Sequence, residues 1–329
     1  MTKTKKKICL LLAGGTWTVD KAKNMLAVNN TGDVDLWLNT MPELGILSAV
    51  ETEFVVNEEA QLSFSLWEKL ATLIIKKEAD YDGFVVVTKA ERAILTATVL
   101  NFLLQNFKKT IVVTASQMSG AYTKEKKEIM QDLIANQGGL GLRSNLINAV
   151  QVAGEELAQV AVMFGSRLVA GIKAKLEYQQ GKYVLSSVDD DYLAKIDFGI
   201  SYKNNLAYSK NLTKKYQNLS RGLCIIDDYL QEKNLWPKEA FVNYQAVLVF
   251  LHDEELSLEQ IKYFKSLEKT VILYHPQYLQ QEKDFSTISS CTKETVIAKV
   301  LWLMANVAES DWPKMLKANL IDEFVNFKK

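Results

Sequence analysis

The sequence predicts an α/β protein made of two α/β domains with mostly parallel sheets. Three observations predict it. Short runs that are apolar throughout, such as Ile8–Ala13 and Gly83–Val87, alternate with longer segments whose apolar residues recur every three or four positions. Strands without a polar face need helices on both sides, which is the arrangement of a parallel sheet. The alternation breaks at a polar, Asn/Lys/Tyr-rich stretch, Ser201–Ser220, and then begins again, in a chain whose 329 residues exceed one typical core.

The strand candidates of the first set are Ile8–Ala13, Glu53–Val56, Gly83–Val87, Thr110–Thr114 and Val160–Phe164. Between them, Leu66–Lys77 and Ala93–Asn106 carry helical periodicity. Arg167–Ser187 alternates residue by residue and reads as a β-hairpin turning at Gln180-Gly181. In the second set, Leu223–Ile226, Ala246–Phe250 and Thr270–Tyr274 read as strands and Ser257–Leu267 as the helix between two of them. Thr292–Ala305 is amphipathic and closes the second domain. The expected division is a larger N-terminal domain over 1–200, a linker over 201–220 and a smaller C-terminal domain over 221–329. Only four prolines occur, which suits long regular elements.

Composition removes several function classes. Lys+Arg and Asp+Glu both number 39, so the net charge is zero and no general attraction to nucleic acid or an acidic membrane is expected. The start, "MTKTKKKICLLLAGG", runs from basic to apolar as a secretion signal does. Its apolar part is short and runs into a turn, so it reads as a first buried strand. No run reaches membrane-spanning length. Cys9, Cys224 and Cys291 are odd in number without paired spacing, which fits a reduced cytoplasm. With only His252 and His275 and no cysteine cluster, neither a transition-metal site nor a metal cofactor is expected.

The first strand stops at Gly14-Gly15 and hands over Thr16, in "KICLLLAGGTWTVD". Ligands of open parallel sheets bind beyond the carboxyl ends of strands. Two glycines there permit a sharp turn and leave Thr16 close to backbone amides such as that of Gly15. A plain structural turn explains the same residues. A phosphate cradle fits less well, since neither G-x-G-x-x-G nor G-x-x-x-x-G-K-[ST] is present.

Further segments give the turn a context. "LLLAGGTWT" resembles the "ATGGTIA" opening of the bacterial-type L-asparaginase and glutaminase-asparaginase family, whose second threonine there is the nucleophile. Asp80–Leu100, Lys109–Ser119, Asn145–Ala153 and Thr292–Ala305 resemble further family segments in family order and spacing. The resemblance implies an asparaginase-like fold and hydrolysis of L-asparagine to L-aspartate and ammonia. It also implies a small amino-acid or amide ligand, no cofactor, and a homo-oligomer, dimer or tetramer, whose pockets are shared between subunits.

Amide hydrolysis needs a nucleophile, a base, oxyanion donors and a grip on the substrate's amino and carboxylate groups. By the resemblance Thr16 takes the nucleophile's place, and Lys175, or its rival Lys173, takes the lysine's. With Gly83 on the family glycine, Thr88 falls on a histidine, Lys89 on a glycine and Ala90 on the second catalytic threonine. Glu91 falls on the aspartate and Arg92 on another threonine. Ala90 has no hydroxyl to orient water. Glu91 keeps the carboxylate as an amino-group ligand, one methylene longer. Ala60 replaces a substrate-gripping serine while Gln61 is kept beside it, and Gly15 offers its backbone. The loop after Thr16 has Trp17 but no tyrosine. Asp253, Glu254 and Glu255 stand where the family has a glycine-rich turn; acidic residues before a helix also suit its dipole. The expectation is an asparaginase-like amidohydrolase homologue with weak or altered activity. The alternative is an inactive homologue that binds or assembles. Nucleotide binding at Gly14-Gly15 has only fold analogy behind it.

Overall fold

The structure is a computed structural model and describes residues 5–13, 38, 41–56, 63–115, 142–179, 182–197, 199–203, 218–228, 236–252, 256–277 and 284–325. It divides into two compact units, Met1–Gln217 and Asn218–Lys329.

The first unit is organised by one sheet. In chain order its elements are β1 (Lys6–Ala13), α1 (Pro42–Leu47), β2 (Ser48–Val56), α2 (Phe64–Lys76), β3 (Gly83–Val87), α3 (Ala90–Leu103) and β4 (Thr110–Thr114). They continue with α4 (Leu142–Ala153), β5 (Val160–Phe164), β6 (Arg167–Ala170), β7 (Ala174–Gln179), β8 (Lys182–Ser187), β9 (Ala194–Ile196) and β10 (Ile200–Tyr202). The sheet order is β10-β9-β6-β5-β4-β3-β1-β2. The strands β1 to β5 pair in parallel, and β6, β9 and β10 add an antiparallel flank. This is the α/β, mostly parallel class that the run pattern predicts.

Both faces are covered, as all-apolar strands require. Ile8, Leu10, Leu12, Val85, Val87, Val112, Ala161 and Met163 pack with Leu44 of α1 and with Leu146, Ala149, Val150 and Ala153 of α4. The alternate residues Cys9, Leu11, Phe84, Val86, Ile111 and Val113 are equally buried on the opposite face, where α2 and α3 lie. Ser63 caps α2 by accepting from the Leu66 amide, and the helix buries Leu66, Trp67, Leu70, Ala71 and Ile74. Helix α3 is buried nearly all round because the sheet, α2 and the β7–β8 hairpin enclose it.

Gly83 shows why β3 opens on a glycine. A Cβ there would lie 1.8 Å from the carbonyl oxygen of Ala153, at the end of α4. Backbone cannot yield as a side chain does. Gly83→Ala is therefore expected to cost about 1–3 kcal/mol or more by overpacking, read as a lower urea midpoint at unchanged slope.

The segment Arg167–Ser187 is more than one hairpin. Its first part, β6, joins the main sheet, and a 3₁₀ turn at Gly171–Lys173 redirects the chain into the separate β7–β8 pair. Gln180 and Gly181 lie outside the described residues. The polar stretch read as a linker begins inside β10, where Tyr202 pairs with Ala194 and packs against the main core.

The second unit contains β11 (Leu223–Asp228), β12 (Ala246–Leu251), α5 (Leu258–Lys265), β13 (Thr270–His275), β14 (Ser286–Ser289), α6 (Lys293–Asn306) and α7 (Trp312–Lys317). Its four strands are parallel in chain order. Ser257 and Gln260 form a reciprocal capping box on α5, and Thr292 caps α6 through the Thr295 amide. Both sides of α6 are buried, including Lys299.

No described helix is long and apolar enough to cross a membrane. The three cysteines are free thiols. Burial pushes the Cys9 and Cys291 thiols up to about 12, and it raises half-buried Cys224 as well. The thiolate is the reactive form and needs access. Iodoacetamide on the native chain is thus expected to modify Cys224 first, with Cys9 and Cys291 protected until unfolding, as peptide mass spectrometry would read.

Candidate active site

The sheet order places β1 between β3 and β2, so the crossover from β1 to β2 and the next, from β2 back past β1 to β3, run in opposite directions. The crevice of a doubly wound sheet opens at that reversal, beyond the carboxyl ends of the strands. Here it falls between β1 and β3, whose register pairs Leu12 with Val87. The chain leaves β3 through Thr88 into α3 at one side, and leaves β1 after Ala13 at the other. Thr16, Gly15 and Trp17 follow Ala13 but lie outside the described residues, as do Ala60, Gln61, Asp253, Glu254 and Glu255.

The β3 side is built from short-range rules. Thr88 is buried, and its amide donates to the carbonyl of Thr114 at 3.1 Å, extending the β3–β4 ladder by one residue. Lys89 is the extended N-cap of α3, and its side chain makes no capping bond. Ala90 is the first helical residue and is 6% exposed, so a methyl group occupies the position the resemblance gives to a catalytic hydroxyl. Glu91 follows in the first turn, where a carboxylate suits the helix dipole.

Glu91 meets a residue that the sequence reading did not select. The Tyr183 hydroxyl donates to Glu91 Oε1 at 2.6 Å, joining the first turn of α3 to the β7–β8 hairpin. Tyr183 stands opposite Tyr178, their ring centroids 5.1 Å apart. Burial, followed by the hydrogen bond to Glu91, raises the Tyr183 phenol above the usual tyrosine range. No motif signals this partnership, because 92 positions separate the two residues.

The hairpin also locates the two candidate lysines. Side chains alternate along β7, so Ala174, Leu176 and Tyr178 share the face that bears Tyr183 and meets α3. Lys175 leaves the opposite face, where its ammonium lies 2.6 Å from Glu177 and its side chain is 58% exposed. The structure therefore does not bring Lys175 and Glu91 together. Lys173 sits at the hairpin's base, 3.1 Å from Asp189, and its side chain is only 16% exposed. Burial pushes the Asp189 carboxyl up, but the Ser187 hydroxyl and the Lys173 ammonium outweigh it and hold the group below the usual range.

In the second unit, His252 Nε2 lies 2.5 Å from Asp227 Oδ1, and Lys293 Nζ lies 3.1 Å from Asp227 Oδ2. These partners, His252 first, hold the Asp227 carboxyl below its usual range. No group of three or more His, Cys, Asp or Glu among the described residues is arranged to hold a metal ion.

The "Asparaginase, N-terminal" family model matches residues 7–208, more than half of the 329. The chain belongs to the asparaginase family. Among curated relatives, L-asparaginase 1 of Escherichia coli strain K12 is 27% identical over 184 residues, covering 54% of this chain and 49% of that protein. The 60 kDa lysophospholipase of Mus musculus is 26% identical over 115 residues, covering 35% of this chain and 18% of that protein. The chain thus spans about half the length, or less, of these curated relatives. Among solved structures, L-asparaginase I from Vibrio cholerae superposes with a TM-score of 0.75 at 19% identity, over 98% of this chain and 100% of that one. The thermostable L-asparaginase from Thermococcus kodakarensis gives 0.73 at 15% identity, over 97% and 99%. At those identities the likeness shows the asparaginase fold.

Proposed function

We propose that this asparaginase-family chain is an amidohydrolase homologue that holds a small amino acid or amide and hydrolyses L-asparagine only weakly. The observation that carries the reading is the first turn of α3, where Ala90 supplies a methyl group and Glu91 a carboxylate already bonded to Tyr183. In the proposed reaction the Thr16 hydroxyl adds to the side-chain carbonyl and ammonia leaves. Water then cleaves the resulting ester, the step that a positioned hydroxyl assists. Glu91 would hold the substrate's ammonium group, with Gln61 and the Gly15 backbone beside it.

One observation favours the second reading, an inactive binding or assembly protein. The hairpin face that meets α3 carries Leu176 and Tyr178, and Lys175 points the other way. A homo-oligomer in the cytoplasm belongs to either reading. Ammonia release from L-asparagine and L-glutamine by the full chain and by Thr16→Ala tests both. A slow rate that disappears in Thr16→Ala supports weak hydrolysis, and no rate in either chain supports the inactive homologue. Turnover as fast as that of ordinary family members would defeat both.

A further inference from the structure

We propose that Tyr183 is a positioning residue for Glu91, fixing the carboxylate that receives a ligand's α-ammonium group and so setting the strength of that grip. The inference rests on the reading of Glu91 as an amino-group ligand, and it goes beyond that reading by naming what holds the carboxylate in place.

Glu91 is longer by one methylene than the aspartate expected at its position, and the added torsion spreads the carboxylate over more rotamers. Ordering such a side chain costs conformational entropy if binding must do it. Tyr183 meets that cost in advance. Its hydroxyl lies 2.6 Å from Oε1, the short spacing of a charge-assisted O–H···O⁻ bond. The phenol is itself fixed: it belongs to β8, faces Tyr178 across the hairpin, and packs ring to ring with it at 58°. A carboxylate has two oxygens and accepts from several donors. With Oε1 held by Tyr183, Oε2 makes no hydrogen bond to a described residue and can accept from an ammonium donor. A phenol is protonated, and so a donor, at neutral pH, and burial followed by the bond to Glu91 raises this one further.

This bond also bears on ligand choice. It aligns a negative group at the N-terminus of α3 without neutralising it, so the arrangement favours a ligand carrying an ammonium group. The same molecule without its amino group gains nothing from Glu91. The pair L-aspartate and succinate isolates that difference, since the two differ only in the amino group.

Calorimetric titration of the full chain with each probe tests the proposal. Wild type is expected to bind L-aspartate more tightly than succinate. Tyr183→Phe keeps the ring contact with Tyr178 and is expected to weaken L-aspartate about tenfold with succinate unchanged, the size of one lost charged hydrogen bond. Glu91→Gln should lose the preference for the amino group. The double variant Y183F/E91Q should then bind as Glu91→Gln alone, since the two side chains act through one bond. Equal weakening of both probes by Tyr183→Phe, or no weakening of either, would overturn the positioning role and leave the reading of Glu91 intact. Wild type binding both probes equally, or binding neither, would instead overturn the reading of Glu91, and the positioning role with it. The melting temperature of Tyr183→Phe, expected within a few degrees of wild type, separates a local effect from lost folding.

Discussion

Lys299→Met is expected to destabilise the C-terminal unit by about 3–5 kcal/mol, the usual cost of breaking a buried ion pair on one side. Lys299 and Glu323 are both 0% exposed, with Nζ 2.7 Å from Oε1. The ammonium also donates to the carbonyls of Leu316 at 2.9 Å and Ala318 at 2.6 Å, so all three of its hydrogens are engaged. Glu323 accepts in turn from the amides of Leu320 and Ile321. One lysine on α6 therefore satisfies the end of α7 and the turn that follows it. Burial pulls Lys299 below the usual lysine range against the pull of Glu323, and its ammonium lies 4.6 Å from the Phe324 ring centroid. Methionine fills much of the same volume but leaves a buried carboxylate and two carbonyls without their donor. Hydrogen exchange of α6 amides is the direct measurement, because it reads the opening of that unit rather than of the whole chain. Protection is expected to fall by about two to four orders of magnitude, the factor those energies imply. The double variant K299M/E323M removes the unpaired charge but also strips partners from the Leu316 and Ala318 carbonyls and the Leu320 and Ile321 amides, so it should recover only the part of the loss that comes from the lone carboxylate. Unchanged α6 protection in Lys299→Met would refute the account.

The same lysine marks where sequence reasoning stops. The strands Gly83–Val87, Thr110–Thr114 and Val160–Phe164 are found at the residues the apolar runs indicate, because a strand buried on both faces leaves an unbroken signature. β9, β10 and β14 leave no such signature. They are three or four residues long, and β14, Ser-Thr-Ile-Ser, has one apolar side chain. A lysine at a helix position is ordinarily assigned to water, and nothing near Lys299 announces a carboxylate 24 residues on. Tyr183 escapes for the same reason at greater distance. Periodicity and local motifs see neighbours in the chain, whereas these two partnerships exist only after long-range packing. Ala90 and Glu91 were accessible through resemblance, which places them at one end of a strand. The resemblance is silent on which face of the hairpin a lysine takes, and alternation in β7 decides that Lys175 faces away from Tyr183.

On the proposed function, the first turn of α3 also sets the size of the expected catalytic defect. Ammonia release from L-asparagine is expected to run about a hundred- to ten-thousandfold below that of family members with both hydroxyls, the range for losing one positioned proton-transfer group or oxyanion donor. A methyl at Ala90, 6% exposed, can neither orient water nor pass a proton. Thr88 precedes Ala90 by two residues and its amide is tied to Thr114, so its hydroxyl starts from the strand end rather than from the helix. In the proposed reaction the longer arm of Glu91 compounds the loss by setting the amino group farther from its backbone, where misplacement by about 1 Å can cost a further hundredfold. These losses need not multiply, since groups that act as a unit fail together. For the same reason the single reversions Ala90→Thr and Glu91→Asp are each expected to recover little. The pair A90T/E91D is expected to recover at least about tenfold in kcat, dependent on Thr16. Recovery through the pair but not the singles would locate the defect in this one turn. A pair as slow as the natural chain, with folding intact by melting temperature, would move the defect to the hairpin, whose face toward α3 carries Leu176 and no ammonium.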